Sequence, residues 1–147
     1  MARALVLLLI VVATAASAQA GAACYDAIAL ASKSMNRSNC YTTNTADLRK
    51  HATYPQCKGI TLYGGSYDVA FCAPIMKNYF KCIMQASGLL KADGTFDGNV
   101  YKVKYLKNQC DADTQFQNAY AQCEAATMTY LNFTQLESCL LKATRPK

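Results

Sequence analysis

Apolar residues recur at helical spacing along most of the chain. The segment CYDAIALASKSM, which starts at Cys24, predicts a first helix because four small or apolar residues fall at i, i+3, i+4 and i+7 and share one face. They are Ile28, Ala31, Ser32 and Met35. A shorter helix is predicted for TADLRKHA, residues 45–52. The next stretch, YPQCKGITLYGGS, contains a proline and three glycines, so we expect a loop there.

A longer helix is predicted from about Asp68 to Ala86. Pro74 lies inside it and predicts a bend, because proline has no backbone donor and clashes with the preceding turn. Two adjacent rows of side chains give this helix a wide apolar face. The rows are Ile75, Tyr79 and Cys82, and Met76, Phe80 and Ile83. Gly88 predicts the left-handed cap that ends the helix.

The C-terminal half predicts three more helices. Residues 101–107, YKVKYLK, alternate as a strand does but also fit helical spacing, and we favour the helix because no strand partner is nearby. Asp111 or Asp113 can cap the next helix, and Thr134-x-x-Glu137 has the spacing of a capping box for the last one. The inward rows of these two helices are Phe116, Tyr120 and Cys123, and Phe133, Leu136, Cys139 and Leu140. The whole pattern predicts an all-α fold of five to six short helices.

The first twenty residues have the pattern of a secretory signal. Arg3 precedes the apolar run LVLLLIVVA, and small residues then allow cleavage after Ala18 or Ala20. The run is too short to span a membrane. We therefore expect a signal peptide over residues 1–18, cut after 18 or 20, and one domain over residues 21–147 that is secreted and does not insert into membranes.

All eight cysteines follow the predicted signal. An even number in an exported chain predicts four disulfides, although the sequence does not select their pairing. The eight are Cys24, Cys40, Cys57, Cys72, Cys82, Cys110, Cys123 and Cys139. We expect no metal site, because the chain has no C-x-x-C and a single histidine, His51.

The net charge of the chain excludes few classes of binding partner. Without Arg3 the chain has 14 basic and 9 acidic side chains, a net charge of about +5. This scattered excess is typical of a solvated basic surface, and a preference for anionic ligands is the alternative. A nucleic-acid partner is not expected, because no dense basic stripe with interleaved aromatics occurs. Asn36 and Asn132 begin N-x-S/T sequons and are candidate glycosylation sites.

Catalytic and metal chemistry find little support in the sequence. Residues 93–98, DGTFDG, match the first half of a calcium loop, but Lys104 occupies the position of the bidentate glutamate, so the Asp-Gly pairs indicate turns. His51 has no acidic residue directly after it, no G-x-S-x-G motif occurs, and paired cysteines leave no thiol nucleophile. We therefore expect neither an enzyme nor a cofactor, with a lipase-type hydrolase as a minor alternative.

Aromatic and sulfur-containing side chains are abundant for a chain of this size. It has ten Tyr, five Phe and five Met. These side chains can fill a core. Alternatively, four crosslinks can hold helices around a cavity whose walls they form.

The centre of the chain carries a more specific pattern. Cys82 lies near the end of a predicted helix, Gly88-Leu89-Leu90 follows, and then comes a short turn with Asp93-Gly94 and the apolar Phe96. This arrangement resembles the insect pheromone/general odorant-binding protein family. The resemblance implies a secreted protein of about six helices around an apolar cavity, tied by disulfides.

The cysteine spacing extends the resemblance over about residues 75–140. Cys82, Cys123 and Cys139 correspond to the family's third, fourth and sixth cysteines. Cys40 is the choice for the first, with Cys57 as competitor, so the implied bridges are Cys40–Cys82 and Cys123–Cys139. Asn78 and Tyr130 replace the family's second and fifth cysteines, which bond each other, as in a cysteine-reduced subgroup. The other four cysteines are expected to form two additional bridges.

The resemblance implies a divergent arthropod carrier, monomeric or weakly dimeric, that reversibly binds small hydrophobic or amphipathic ligands in an internal cavity. Candidate wall residues, chosen by helical face and family position, are Ile75, Tyr79, Phe80, Ile83, Leu89, Leu90, Phe96, Phe116, Tyr120, Phe133, Leu136 and Leu140. The alternative is a secreted disulfide-rich interaction protein, such as a salivary scavenger or inhibitor, whose cysteines stabilise a solid core.

Overall fold

The structure is a computed structural model that describes residues 21–146. The predicted signal peptide lies outside the described residues. Within them the chain forms seven α-helices and no strand, so the predicted all-α fold is confirmed, with a helix count close to the expected five to six. The helices are α1 (21–31), α2 (Cys40–Thr43), α3 (Thr45–Thr53), α4 (Val69–Ala86), α5 (Gly98–Val100), α6 (Thr114–Met128) and α7 (Phe133–Ala143).

Helix α4 is the long helix that the sequence predicts. Asp68 caps its N-terminus by accepting a hydrogen bond from the backbone N–H of Phe71 at 3.0 Å. Of the two predicted rows, Met76, Phe80 and Ile83 are buried, whereas Ile75, Tyr79 and Cys82 are half-buried. The first of these rows therefore enters the core and the second lies at its edge.

Gly88 ends α4 as predicted. It has a φ of 68°, and its N–H donates to the Gln85 carbonyl at 3.1 Å. The N–H of Leu89 donates to the Met84 carbonyl at 2.8 Å, which completes a Schellman motif. Because glycine pays no Cβ penalty in the left-handed region, the chain turns sharply here and Ser87 is held at the helix end.

The Asp-Gly segment after α4 forms the predicted turn. The N–H of Lys91 donates to the Thr95 carbonyl at 2.8 Å, and Gly94 closes the reversal with a φ of 79°. Asp97 then caps α5 by accepting from the N–H groups of Asn99 and Val100. The two aspartate-glycine pairs thus have different tasks, one in a turn and one at a helix start.

Residues 101–107 are helical, as favoured, but not α-helical throughout. A π-helix, Tyr101–Tyr105, continues α5, and the N–H of Leu106 donates to the Tyr101 carbonyl five residues earlier at 3.1 Å. Lys107 and Asn108 follow with φ values of 52° and 58°. Two successive left-handed residues without glycine end the π-helix abruptly.

Helices α6 and α7 pack against each other. Asp113 caps α6 by accepting from the N–H groups of Gln115 and Phe116, so the second of the two predicted caps is used. The predicted capping box of α7 is wrong: Asn132 is the N-cap and accepts from the N–H of Gln135, which places Thr134 inside the helix. Asn132 starts the helix two residues earlier than the predicted threonine cap would.

Four disulfides tie these elements together. The pairs are Cys24–Cys110, Cys40–Cys82, Cys57–Cys72 and Cys123–Cys139. The second and fourth are the two pairs that the family resemblance implies. The first spans 86 residues, and on the chain-entropy model a loop of that length contributes about 4–5 kcal/mol to stability. The crosslinks are therefore a large part of what holds this small domain folded.

Candidate functional site

The predicted wall residues meet, but they meet as a filled core. Nine of the twelve are buried in one hydrophobic cluster: Phe80, Ile83, Leu89, Phe96, Phe116, Tyr120, Phe133, Leu136 and Leu140. Tyr79 and Leu90 are half-buried against that cluster, and Ile75 is half-buried outside it. The helical faces were therefore predicted well, whereas the space between them differs from the prediction.

Tyr101 occupies part of this core. It is fully buried, its ring meets the edge of Phe133 with centroids 5.6 Å apart, and it lies 5.8 Å from the ring of Phe96. Four predicted wall residues, Tyr79, Phe80, Ile83 and Phe133, line a pocket of about 60 Å³. Ligand sites usually span about 300–1,000 Å³, so this pocket does not form the predicted cavity of ligand size.

A groove of about 410 Å³ lies elsewhere, on the surface between α1, the end of α4 and the π-helix. We call it the α1 groove. Its lining residues are Ala27, Leu30, Ser34, Asn36, Ala86, Ser87, Lys104, Tyr105, Leu106, Lys107 and Gln109. None of the twelve predicted wall residues lines it. Its volume falls within the range of small-ligand sites.

The floor of the α1 groove is apolar. Leu106 is fully buried, and Ala27 is buried beside it. Leu30 lies on the same face of α1 as Ala27 and is 57% exposed. The groove therefore offers an apolar surface that an amphipathic molecule can cover.

Ser87, at the end of α4, forms hydrogen bonds with the segment after α1 and with the π-helix. It is 3% exposed, and its hydroxyl oxygen accepts from the backbone N–H of Asn36 at 3.1 Å. Its carbonyl accepts from Lys104 Nζ at 3.0 Å and from the Tyr105 hydroxyl at 2.8 Å. Because this carbonyl belongs to the C-terminal end of α4, a cation beside it is also favoured by the helix dipole.

The charge of the α1 groove has one sign. Lys104 and Lys107 are its charged lining residues, and among the described residues no carboxylate lines it. Lys104 Nζ also lies 5.3 Å from the centroid of the Tyr105 ring. Lys107 has a left-handed backbone conformation, which is uncommon for a residue other than glycine.

A second surface pocket, of about 480 Å³, lies around the turn after α4. Lysine, glutamine and aspartate side chains make up much of its lining, with Leu90 as the main apolar contribution. Because it lacks an apolar floor and mixes charges of both signs, it is a weaker candidate for ligand binding.

The ionisable groups with shifted pKa values lie away from the α1 groove. Burial raises the pKa of Tyr101 far above its ordinary value, and it raises the pKa of Tyr67 to about 12. Burial lowers the pKa of His51, whose ring faces that of Tyr67 at 5.8 Å. His51 therefore contacts an aromatic ring and not a nucleophile, an arrangement that matches a structural residue.

The two sequons differ in their surroundings. Asn36 is exposed at the edge of the α1 groove. Asn132 is 1% exposed, and its side chain caps α7. The folded structure leaves no room for a glycan on Asn132. Its burial therefore argues against the predicted glycosylation at this residue.

One feature of the sequence is consistent with the α1 groove, although the stronger pattern of buried positions on α1 draws attention to a different face. Ala27, Leu30 and Ser34 lie at i, i+3 and i+7 on α1, on a face next to the buried one. In the sequence, Lys104 and Lys107 belong to a scattered excess of basic residues. The residues around them do not indicate that the π-helix lies opposite α1.

These observations define an all-α domain, held by four disulfides, with a surface groove that is apolar at its floor and basic at its rim. No protein-family model matches the chain, and no curated protein or solved structure is significantly similar to it. In the described part of the chain, no helix has the length and hydropathy needed to cross a membrane.

Proposed function

We propose that the protein is a secreted carrier that reversibly binds small amphipathic molecules in the α1 groove. The observation that carries the proposal is that a disulfide ties the two walls of this groove to each other. Cys24 lies on α1 one turn before Ala27, and its partner Cys110 directly follows Gln109 on the opposite wall. A covalently held groove is preorganised, and preorganisation lowers the entropy lost on binding.

In this proposal, the transfer of apolar surface from water into the groove drives binding. Burying apolar surface is favourable by about 25 cal/mol per Å². Leu30 and Ala86, which are exposed in the groove, offer such surface to the ligand's apolar part, while Ser34, Asn36 and Gln109 can orient a polar end. A binding site needs only a few such polar groups beside an apolar body.

The disulfides also support a distant relationship to the arthropod odorant-binding proteins. Cys40–Cys82 and Cys123–Cys139 are the pairs implied by the resemblance. Asn78, which replaces one family cysteine, is exposed and donates to Asp47 at 3.4 Å. Four disulfides are also typical of proteins that fold in an oxidising compartment, as the predicted export requires.

Displacement of a fluorescent reporter tests the proposal. The oxidised protein should bind a naphthylamine dye saturably, and medium-chain alcohols and acids should displace it at micromolar concentration. Leu30→Ser should raise the Kd about ten-fold, because losing contact with roughly 50 Å² of leucine costs about 1.3 kcal/mol. Leu62→Ser, at a leucine that is 62% exposed outside the groove, is the matched control. Absence of saturable binding, or equal effects of the two substitutions, contradicts the proposal.

The second candidate is an interaction protein with a solid core. The observation that favours it is that nine of the twelve predicted wall residues are buried in one hydrophobic cluster, and that the pocket lined by Tyr79, Phe80, Ile83 and Phe133 has a volume of about 60 Å³. Phe71 and Leu62 are exposed on segments next to the Cys57–Cys72 bridge and offer apolar surface to a protein partner. If the folded protein shows no saturable binding of the dye in the assay above, this second function becomes the better one.

A further inference from the structure

We propose that the α1 groove selects ligands with a single carboxylate on an apolar chain, and that Lys104 and Lys107 hold the carboxylate. This inference rests on the proposed carrier function and names the ligand class of the same site. The apolar chain would cover Leu30 and Ala86, and the carboxylate would lie at the rim formed by the π-helix and the residues after it.

Charge complementarity is the first step. Both ionic side chains that line the groove are lysines, and no described acidic residue among the lining offsets them. A carboxylate that enters therefore meets two positive charges, and an ammonium head group would be repelled by them. A neutral hydroxyl can accept a hydrogen bond from either ammonium but lacks the attraction between opposite charges that a carboxylate gains.

The position of Lys104 is the second step. Its ammonium already donates to the buried Ser87 carbonyl at 3.0 Å and lies near the Tyr105 ring, so it has a defined place before ligand arrives. An ammonium has three donors, and one bond to Ser87 leaves two for the ligand. Hydrogen bonds between an ammonium and a carboxylate are stronger than neutral ones.

The shape of the groove is the third step. A lysine ammonium is a compact point charge whose rotatable donors can hold one carboxylate. Polar residues are few at the floor, where Ala27, Ala86 and Leu106 lie, and this leaves space for a hydrocarbon chain. The combination fits a medium-chain monocarboxylate better than a compact inorganic anion.

Three probes of equal chain length distinguish the carrier function from the preference for a carboxylate. They are decanoate, decanol and decylammonium, each measured by dye displacement with the oxidised protein. We expect decanoate to bind most tightly and decylammonium most weakly. Raising ionic strength should weaken decanoate and leave decanol unchanged, because salt screens partly exposed charges. If neither decanoate nor decanol binds, the carrier function fails and this inference with it. If decanol binds as tightly as decanoate, the carrier function stands and the inference is overturned.

Substitutions locate the charge. Lys104→Gln and Lys107→Gln should each raise the Kd for decanoate about two- to five-fold, as expected for a solvent-accessible ion pair, without changing decanol binding. Lys104→Arg should retain decanoate binding, which shows that charge and not only the bond to Ser87 is lost in the glutamine variant. Lys50→Gln, exposed on α3, is the control. Equal decanoate binding by the double glutamine variant and the unchanged protein overturns the inference.

An experiment with vesicles tests the alternative that the lysines bind anionic lipid head groups at a membrane surface. Sedimentation with anionic phosphatidylserine vesicles should show no lysine-dependent binding. Lysine-dependent vesicle binding without decanoate binding would identify the groove as a membrane-surface contact and would overturn the proposal.

Discussion

Gly98 lies directly against the phenol of Tyr120. A Cβ added to Gly98 would stand 2.6 Å from the Tyr120 hydroxyl oxygen and 3.2 Å from a carboxylate oxygen of Glu124. The Tyr120 hydroxyl donates to the Gly98 carbonyl at 3.5 Å, and Lys102 Nζ lies 3.9 Å from the centroid of the same ring. The start of α5 is thus fitted to the side of α6, and this contact fixes where the π-helix begins.

Gly98→Ala should therefore destabilise the protein. The added methyl must displace Tyr120 or shift α5, and overpacking of this kind costs about 1–3 kcal/mol. Urea unfolding of the oxidised protein measures the change. Replacing Tyr120 by Phe removes the hydroxyl, so the same substitution should cost less in that background. Asn99→Ala, at the exposed next residue, should stay within about 0.5 kcal/mol. An unchanged free energy of unfolding in Gly98→Ala would contradict this close contact.

Removing the Cys24–Cys110 bridge should reduce both stability and binding. In the Cys24→Ser/Cys110→Ser variant, the free energy of unfolding should fall by about 4–5 kcal/mol, compared with about 3 kcal/mol for loss of the shorter Cys57–Cys72 bridge. Ligand affinity should fall more in the first variant, because Cys24–Cys110 joins α1 to the wall that ends at Gln109, whereas Cys57 and Cys72 are not among the lining residues of the α1 groove. Denaturant unfolding and dye displacement are measured on both. A larger binding loss from the Cys57–Cys72 variant would contradict the proposed role.

Tyr101→Phe should stabilise the protein or leave it unchanged. The hydroxyl of Tyr101 is buried and has no hydrogen-bond partner among the described residues, and a buried unsatisfied polar group costs about 1–3 kcal/mol. Thermal unfolding checks this. A loss of more than about 0.5 kcal/mol would show that the hydroxyl has a partner, such as a bound water. Tyr105→Phe is the comparison, since its hydroxyl donates to the Ser87 carbonyl and its removal should destabilise.

Glu137 should make the protein less stable as the pH rises. Burial raises the pKa of this half-buried carboxyl above its ordinary 4.5, although a hydrogen bond from Ser32 and the charges of Arg37 and Lys33 oppose the shift. The folded protein therefore binds this proton more tightly than the unfolded chain does. The free energy of unfolding falls between the unfolded pKa and the higher folded pKa, and the loss is complete above that interval.

Glu137→Gln should remove this contribution and be more stable than the unchanged protein at neutral pH. The measurement is the free energy of unfolding as a function of pH. Asp26→Asn, at an exposed carboxylate on α1, is the control for loss of one charge. A decrease in stability at neutral pH in Glu137→Gln would show that the attraction of Arg37 and Lys33 outweighs desolvation.

Local signals predicted the helices well because they depend on neighbouring residues. Gly88 ends α4 through its own left-handed conformation. Asp113 starts α6 by accepting hydrogen bonds from the N–H groups of Gln115 and Phe116. The start of α7 was predicted wrongly, because Thr134 and Glu137 have the spacing of a capping box although Thr134 lies inside the helix. The structure uses Asn132.

The candidate ligand site could not be predicted in the same way. Helical periodicity identifies the inward face of α4 or α7, but whether the inward faces enclose space depends on what enters from distant segments. Tyr101, from the π-helix, packs between residues expected to line a cavity. The α1 groove likewise depends on α1 lying opposite residues 104–109, a relationship set by the Cys24–Cys110 bridge.

Backbone amide chemical shifts during a decanoate titration test the central claim most directly. With isotope-labelled, oxidised protein, saturable shifts should concentrate at Ala27, Leu30, Ser87, Tyr105 and Leu106, and Leu30→Ser should weaken them. Saturable shifts confined to the core between α6 and α7, or no saturable shifts in the folded protein, would contradict the proposal that the α1 groove is the binding site.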